Sequence, residues 1–332
     1  MRRELAPWLT GRELLEVELL APLGPKYVGL PRALGRRVES VGRRGKFLLM
    51  PLSGGLELVA HLGMTGVIAM SEPSERQAGY VRVRVRLSGD APNVLYFLDP
   101  RRFGRFLVVE QGQYETLPTL AALGPEPLEP EFTAAGFGAA LARSRMAVKA
   151  YLLSQRPVAG VGNIYADEAL WRARVHPLTP AAALKPEQVA RLHHAVREVL
   201  SAALAAQGTT LSDYRTVRGR PGEYAKELDV YGRGGEACPA CGATLERLVV
   251  AQRGTTYCPA CQALPRGGSR RNGSSGGGSS GGGSSGGGSS GTGSSGGGSS
   301  GTGKARNRSP REGSSRSRSR SRNHTSADGG RG

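Results

Sequence analysis

Along the first 110 or so residues, apolar side chains recur with a period of two. A mixed-charge helical segment at 2–9 is stopped by Thr10-Gly11, and a strand is predicted at 14–20. Residues 36–70 alternate apolar and polar, with 46–50 and 56–62 separated by a Ser-Gly-Gly turn. Residues 81–87 read V-R-V-R-V-R-L, and 94–98 and 106–109 flank the turn D-P-R-R-F-G. Such alternation puts one face of each strand on a core and the other on solvent, so this part is predicted to be a β-sandwich. Arg82, Arg84 and Arg86 suit either the solvent face of an amphipathic strand or a surface that meets phosphate.

From Glu131 the period becomes helical, with helices predicted at 132–145, 148–154, 164–174 and 186–206. The last carries Val189, Leu192, Val196, Val199 and Leu200 on one stripe. His193 and His194 lie on it without metal-like partners and are expected to pack or to face solvent. Residues 207–235 form a polar, glycine-rich stretch, the kind of long loop that is functional or mobile.

From Gly267 onward nearly every residue is Gly, Ser, Arg or Thr, too little apolar surface to offset the entropy of folding. Residues 273–303 have the composition of a flexible linker. Residues 304–332 hold the run R-S-R-S-R-S-R, which reads as a disordered nucleic-acid arm or as a cloning or frameshift scar. The folding part of the 332-residue chain is therefore expected within 1–265.

Charge narrows the partners. The chain carries +18, of which residues 267–332 supply half through eleven Lys/Arg against two Asp/Glu. The folding part is thus basic in its own right, which points to nucleic acid. No apolar run approaches membrane-spanning length, so no membrane partner is expected. The start Met-Arg-Arg-Glu lacks the apolar core of a signal peptide, so a cytoplasmic location is expected.

All four cysteines fall in one short stretch: Cys238 and Cys241, sixteen residues, then Cys258 and Cys261. Two C-x-x-C pairs at this separation fit two knuckles of a tetrahedral zinc ribbon, and one structural Zn2+ is expected in preference to disulfides. Between the knuckles, residues 252–257 are predicted to form the middle of a hairpin, with Arg253 either a phosphate or groove contact or a solvated arginine.

One further stretch suggests anion chemistry. Residues 157–168 run P-V-A-G-V-G-N-I-Y-A-D-E, an apolar pair and two glycines leading into a helix start. Both glycines are expected to take positive φ and to leave the first N–H groups of the helix open, a seat for phosphate. Asn163 either adds a side-chain amide to that seat or caps the helix. A plain helix–turn–helix corner accounts for the same residues.

Taken together these blocks resemble the formamidopyrimidine-DNA glycosylase family, bacterial base-excision repair enzymes that remove oxidised purines. The resemblance runs over about residues 2–265: R-R-G-K-F-L-L at 43–49, H-L-G-M-T-G at 61–66, D-P-R-R-F-G at 99–104 and L-G-P-E-P-L at 123–128. It continues through V-A-G-V-G-N-I-Y-A-D-E at 158–168, E-L-x-V-Y-G-R-x-G-E at 227–236 and the ribbon ending Q-R-G-T-T-Y-C at 252–258. It implies an α+β multidomain chain: an N-terminal β-sandwich at 1–125, a helix–two-turns–helix domain at 126–235, a zinc finger at 236–265 and a disordered tail at 266–332. Met64, Arg101 and Phe103 match the residues that enter the duplex gap when the damaged nucleotide swings out. On residue type alone, Met64 and Phe103 would be core and Arg101 a turn arginine. Lys46, Asn163 and Arg253, with Lys149, match the phosphate-binding set, and 209–226 matches the loop that closes over the flipped base.

Two departures stand out. In the family the chain opens Pro-Glu-Leu-Pro-Glu-Val-Glu, the proline amine attacks the sugar and the glutamate handles proton transfer. Here Met1-Arg2-Arg3-Glu4 corresponds to the helix just after that segment; Pro7 is internal and Glu4 is not the missing acid. Lys46 is the remaining active-site lysine. The second departure is Gln77-Ala78-Gly79-Tyr80, which stands where histidines often precede the strand at 81–87. The expectation is a DNA glycosylase and abasic-site lyase by descent, monomeric and bacterial, working on duplex DNA with oxidised purines or abasic sites near the nucleoid. The form starting at Met1 is expected to be impaired in base removal. The alternatives are a non-catalytic, zinc-dependent binder of damaged DNA and an RNA binder driven by the Arg-Ser arm.

Overall fold

The computed structural model describes residues 1–22, 24–209 and 222–264. The tail expected from residue 266, and most of the loop expected at 209–226, lie outside the described residues.

The first half pairs two antiparallel four-stranded sheets beneath a short helix, α1 (Arg2–Leu9). One sheet has the order β1-β6-β7-β5, from β1 (Leu14–Leu19), β5 (Val67–Ala69), β6 (Val81–Leu87) and β7 (Val94–Leu98). The other runs β2-β3-β4-β8, from β2 (Gly42–Arg44), β3 (Phe47–Leu52), β4 (Leu56–His61) and β8 (Arg105–Glu110). A one-turn helix, α2 (Glu75–Ala78), leads into β6. Inward residues of both sheets, among them Met50, Leu58, Val83, Val85 and Phe97, share one core with Leu5 and Leu9 of α1. The outer face of the second sheet buries Phe47, Val59 and Leu107 under Leu117 and Leu120, where α3 (Pro118–Ala121) crosses it.

The arginines of β6 divide in a way that the alternation alone leaves open. Arg84 pairs with Glu18 and Arg86 with Glu16 of the neighbouring β1, the latter at 3.0 Å. Arg82 is buried and donates from Nε to the Asp99 carbonyl oxygen at 2.9 Å. The strand's own ion pairs thus account for Arg84 and Arg86, and Arg82 serves the turn beyond β7. In place of histidines, Gln77 caps α2 together with Ser74, and the Gly79 carbonyl accepts from Arg82 at 3.2 Å.

The second half is helical: α4 (Ala134–Ala142), α5 (Val148–Leu153), α6 (Asn163–Arg172) and the long α7 (Pro186–Ala205). The start of α4 is set by Thr133, whose hydroxyl accepts the Gly136 N–H at 3.1 Å. Leu152, Ala169, Leu170, Leu192, Val196 and Val199 meet in one core. His193 packs there, its ring 4.5 Å from that of Phe132, while His194 lies on the surface near Glu198. A hairpin of β9 (Glu246–Val250) and β10 (Arg253–Tyr257) follows. Its two-residue turn puts Ala251 and Gln252 at φ +49 and +58, the twist that tight hairpins favour. Among the described residues no helix is long and apolar enough to cross a membrane.

Candidate nucleic-acid interface

Two loops of the sandwich present exposed apolar side chains on rigid backbone. Met64 is 54% and Phe103 49% exposed, one on the loop after β4 and the other on the turn between β7 and β8. The loops are pressed together: a Cβ on Gly63 would meet the Gly104 nitrogen at 2.7 Å, and Gly63 itself sits at φ +64. Asp99, fully buried, organises both. One carboxylate oxygen accepts the Thr65 hydroxyl at 2.9 Å and the other the Gly104 N–H at 2.6 Å. Beside Phe103, the Arg101 guanidinium carbon lies 4.9 Å and the Lys26 Nζ 5.9 Å from the ring centroid. Met64, Arg101 and Phe103 therefore all belong to one locked, solvent-facing surface, and neither apolar member is core.

A second group of expected residues gathers at the start of α6. Gly160 takes φ +82 as expected, but Gly162 does not: it is the N-cap in an extended conformation, φ −108. Its lack of a side chain serves proximity instead, since a Cβ there would stand 3.0 Å from Lys46 Nζ. Lys46 donates to the Val161 carbonyl at 3.2 Å. Surrounding protein, with the Arg253 guanidinium nearby, holds its ammonium down at about 8, although part of the side chain still reaches water. Asn163 does not cap the helix; its Nδ2 donates to the Gly254 carbonyl at 3.0 Å, next to exposed Arg253 at the start of β10. Lys46, Asn163 and Arg253 thus converge from three separate elements.

Lys46 is held in place by the L-G-P-E-P-L stretch. Glu126 accepts the Gly45 N–H at 2.6 Å and pairs with Arg43 at 2.7 Å, while Arg44 donates to the Gly124 carbonyl at 2.7 Å. Gly124 in turn has no room for a Cβ, which would meet the Arg156 carbonyl oxygen at 2.3 Å. His61 joins this group, its ring 4.6 Å from Phe47. Burial, with Lys46 and Arg105 nearby, pushes its pKa down to about 4, so it is neutral and accepts the Gly63 N–H at Nδ1.

Lys149, expected in the phosphate set, lies buried in this structure. It is 0% exposed, and its ammonium is fully engaged: 2.5 Å from Asp167 Oδ1, 2.6 Å from Thr255 Oγ1 and 3.1 Å from the Gly254 carbonyl. A phosphate could reach it only by breaking a buried ion pair, so Lys149 fastens the β9–β10 hairpin to the helices. Asp167 Oδ2 completes the joint by accepting the Thr256 N–H at 3.1 Å. Its neighbour Glu168, also buried, accepts the N–H groups of Asp229, Val230 and Tyr231 at 3.0, 3.0 and 2.8 Å. Lys26, Glu126 and Glu168 are not legible as site residues in the sequence, because their partners lie 61 to 83 positions away.

The four cysteines sit behind this joint. The sulfurs of Cys238, Cys241, Cys258 and Cys261 all lie within 4.8 Å of one another. Four thiolates around Zn2+ at about 2.3 Å span edges of about 3.8 Å, so the cluster fits one tetrahedral zinc ion. Trp171 of α6 donates its indole N–H to the Cys238 sulfur at 3.4 Å, an outer contact of the kind that orients a ligand. The donor set, four soft sulfurs with no open position, is that of a structural ion.

Comparison with known proteins gives three matches along the chain. Residues 1–106 match the formamidopyrimidine-DNA glycosylase N-terminal domain, 123–215 the formamidopyrimidine-DNA glycosylase H2TH domain, and 235–264 the zinc finger found in FPG and IleRS. A formamidopyrimidine-DNA glycosylase of Thermus thermophilus is 50% identical over 254 residues, covering 76% of this chain and 91% of that protein. That of Deinococcus radiodurans is 44% identical over 266 residues, covering 76% and 90%. The crystal structure of MutM (Fpg) from Thermus thermophilus superposes with a TM-score of 0.72 at 49% identity, covering 79% of this chain and 95% of that one. Lactococcus lactis Fpg bound to DNA containing an abasic site gives 0.69 at 31% identity, covering 79% and 97%.

Proposed function

Because the chain belongs to the formamidopyrimidine-DNA glycosylase family, whose members are DNA glycosylases and abasic-site lyases, we propose that it serves base-excision repair of oxidised purines. Its substrates are duplexes carrying 8-oxoguanine or formamidopyrimidines, and it acts as a monomer on nucleoid DNA in the cytoplasm. The observation that carries this reading is the pair of exposed apolar side chains, Met64 and Phe103, on loops too tightly packed to withdraw them. Once a nucleotide has swung out, these side chains and Arg101 fill the gap and replace lost stacking and base pairing. Lys46, Asn163 and Arg253 hold the phosphates of the kinked strand.

In the chemistry implied by the family, an N-terminal proline nitrogen attacks C1′, the glycosidic bond breaks, and the purine leaves with a proton. Loss of the nitrogen's own proton leaves an aminal on the closed sugar; breaking of the C1′–O4′ bond, with a proton delivered to O4′, opens the ring and gives the Schiff base, and β- and δ-elimination then release the two phosphates. No residue of this sequence corresponds to that proline or its glutamate. In a polypeptide lacking both groups the same surfaces support the second reading, a zinc-dependent binder of damaged DNA.

Equilibrium binding of the zinc-loaded full chain tests the reading. A duplex with a tetrahydrofuran abasic-site analogue should bind at least tenfold more tightly than undamaged duplex or RNA, also after removal of residues 267–332. Met64→Ala and Phe103→Ala should each lower that preference about tenfold, the scale of one lost stacking contact. Equal affinity for damaged and undamaged duplex contradicts the reading, and tighter binding of RNA that depends on 267–332 replaces it with the Arg-Ser arm.

A further inference from the structure

One cation at the exposed loops has no part in the reading above. Lys26 lies in a glycine- and proline-rich stretch with no periodic pattern, yet its backbone runs along the free edge of β8. Its carbonyl accepts the Phe106 N–H at 2.9 Å, and the Val28 carbonyl accepts the Val108 N–H at 2.9 Å. Gly29 allows this approach, since a Cβ there would meet the Val108 carbonyl oxygen at 2.5 Å. So anchored, the lysine side chain turns back to the tip of the neighbouring turn. Its Nζ donates to the Arg102 carbonyl oxygen and lies 5.9 Å from the Phe103 ring centroid.

Both contacts act on a part of the turn that needs support. Arg102 sits at φ +57, a conformation costly for a residue with a side chain. Phe103 is half exposed, so its ring orientation is not set by a core. A charge-assisted hydrogen bond to the Arg102 carbonyl holds the left-handed residue, and the cation over the ring orients Phe103. Arg101 also lies 4.9 Å from this centroid, but it stands on the turn itself, whereas Lys26 reaches the ring from a separate segment hydrogen-bonded to β8.

We propose that Lys26 is a positioning residue for gap filling: it holds the Arg102–Phe103 turn in the pose from which Phe103 enters the duplex. The inference rests on the proposed DNA function and adds to it a residue that the reading of Met64, Arg101 and Phe103 does not require.

The test uses the zinc-loaded full chain and a duplex with a tetrahydrofuran site opposite 2-aminopurine, whose fluorescence reports insertion into the gap. Wild type should change the fluorescence on binding. Lys26→Met should slow that change and weaken tetrahydrofuran-duplex binding about tenfold, in line with the loss of one charged hydrogen bond and one cation–π contact. Its affinity for undamaged duplex should stay within about twofold, and Lys26→Arg should restore the insertion rate. Normal insertion by Lys26→Met overturns the inference. So does a salt dependence reduced by about one phosphate contact with insertion intact, which makes Lys26 a backbone contact instead. If wild type itself leaves the fluorescence unchanged, the DNA reading fails and the inference falls with it.

Discussion

A Cβ on Gly162 would stand 3.0 Å from the Nζ of Lys46, so the lysine closes over a helix start that has no side chain to oppose it. Gly162 is not there for its backbone, because its extended φ of −108 is open to any residue. Gly162→Ala should therefore leave the melting temperature nearly unchanged while pushing the lysine aside. Measured against salt, DNA affinity should fall with a slope smaller by about one phosphate. Gly160→Ala should behave the other way, costing about 1 kcal/mol of stability because φ is +82 there.

The same lysine sets a pH limit. Enclosing protein and the Arg253 charge disfavour the protonated form and hold its ammonium down at about 8, although the residue as a whole is exposed. Phosphate binds that protonated form, so DNA pulls a proton onto Lys46 and affinity falls as pH rises through about 8. Binding isotherms between pH 7 and 9.5 should show this loss in wild type. A Lys46→Arg chain, charged throughout, should show little of it.

Lys149 and Asp167 form a buried pair, and removing one partner leaves the other uncompensated. Lys149→Met should cost about 3 to 5 kcal/mol in denaturant unfolding. Adding Asp167→Asn should recover part of that loss, a coupling that a phosphate-binding lysine would lack. A salt slope lowered by one phosphate in Lys149→Met would instead return this lysine to the DNA contacts.

Zinc fastens the hairpin that carries Arg253. Chelation should release β9–β10, abolish the preference for tetrahydrofuran duplex and leave the helical core folded. Trp171, whose indole donates to the Cys238 sulfur, reports the event directly. Its emission should change in step with the loss of binding, and unchanged lesion binding after complete metal removal contradicts the role given to the finger.

The sequence pattern carries the strands at 81–87 and 94–98 to the residue, the first because V-R-V-R-V-R-L alternates at every position and the second because V-L-Y-F-L is a short apolar run before the D-P-R-R-F-G turn. It places β2 and β5 only within the alternating stretch 36–70, without bounds, because each is three residues long and too short to show a period of its own. The cysteine spacing specifies the metal cluster because its ligands lie close in sequence. The burial of Lys149 is not legible for the opposite reason: a lysine on a short helix reads as exposed unless Asp167, on the next helix, is known to face it. Gly162 is legible as a required glycine but not for the right cause, since a side chain approaching from β3's hairpin leaves no local trace.

The central claim, a family glycosylase that reads damage through Met64, Arg101 and Phe103 and attacks the sugar with an amine, is tested most directly by borohydride trapping. The duplex carries 8-oxoguanine opposite cytosine. The chain beginning at Met1 is run beside one with Pro-Glu-Leu-Pro-Glu-Val-Glu-Thr placed ahead of Arg2 and the initiator methionine removed. Borohydride reduces the imine to a stable amine, so an adduct marks the attacking nitrogen. The account predicts an adduct from the extended chain, with both chains binding the duplex. Equal trapping by the Met1 chain would place the chemistry on another amine, and no adduct from the extended chain despite binding would contradict the glycosylase itself.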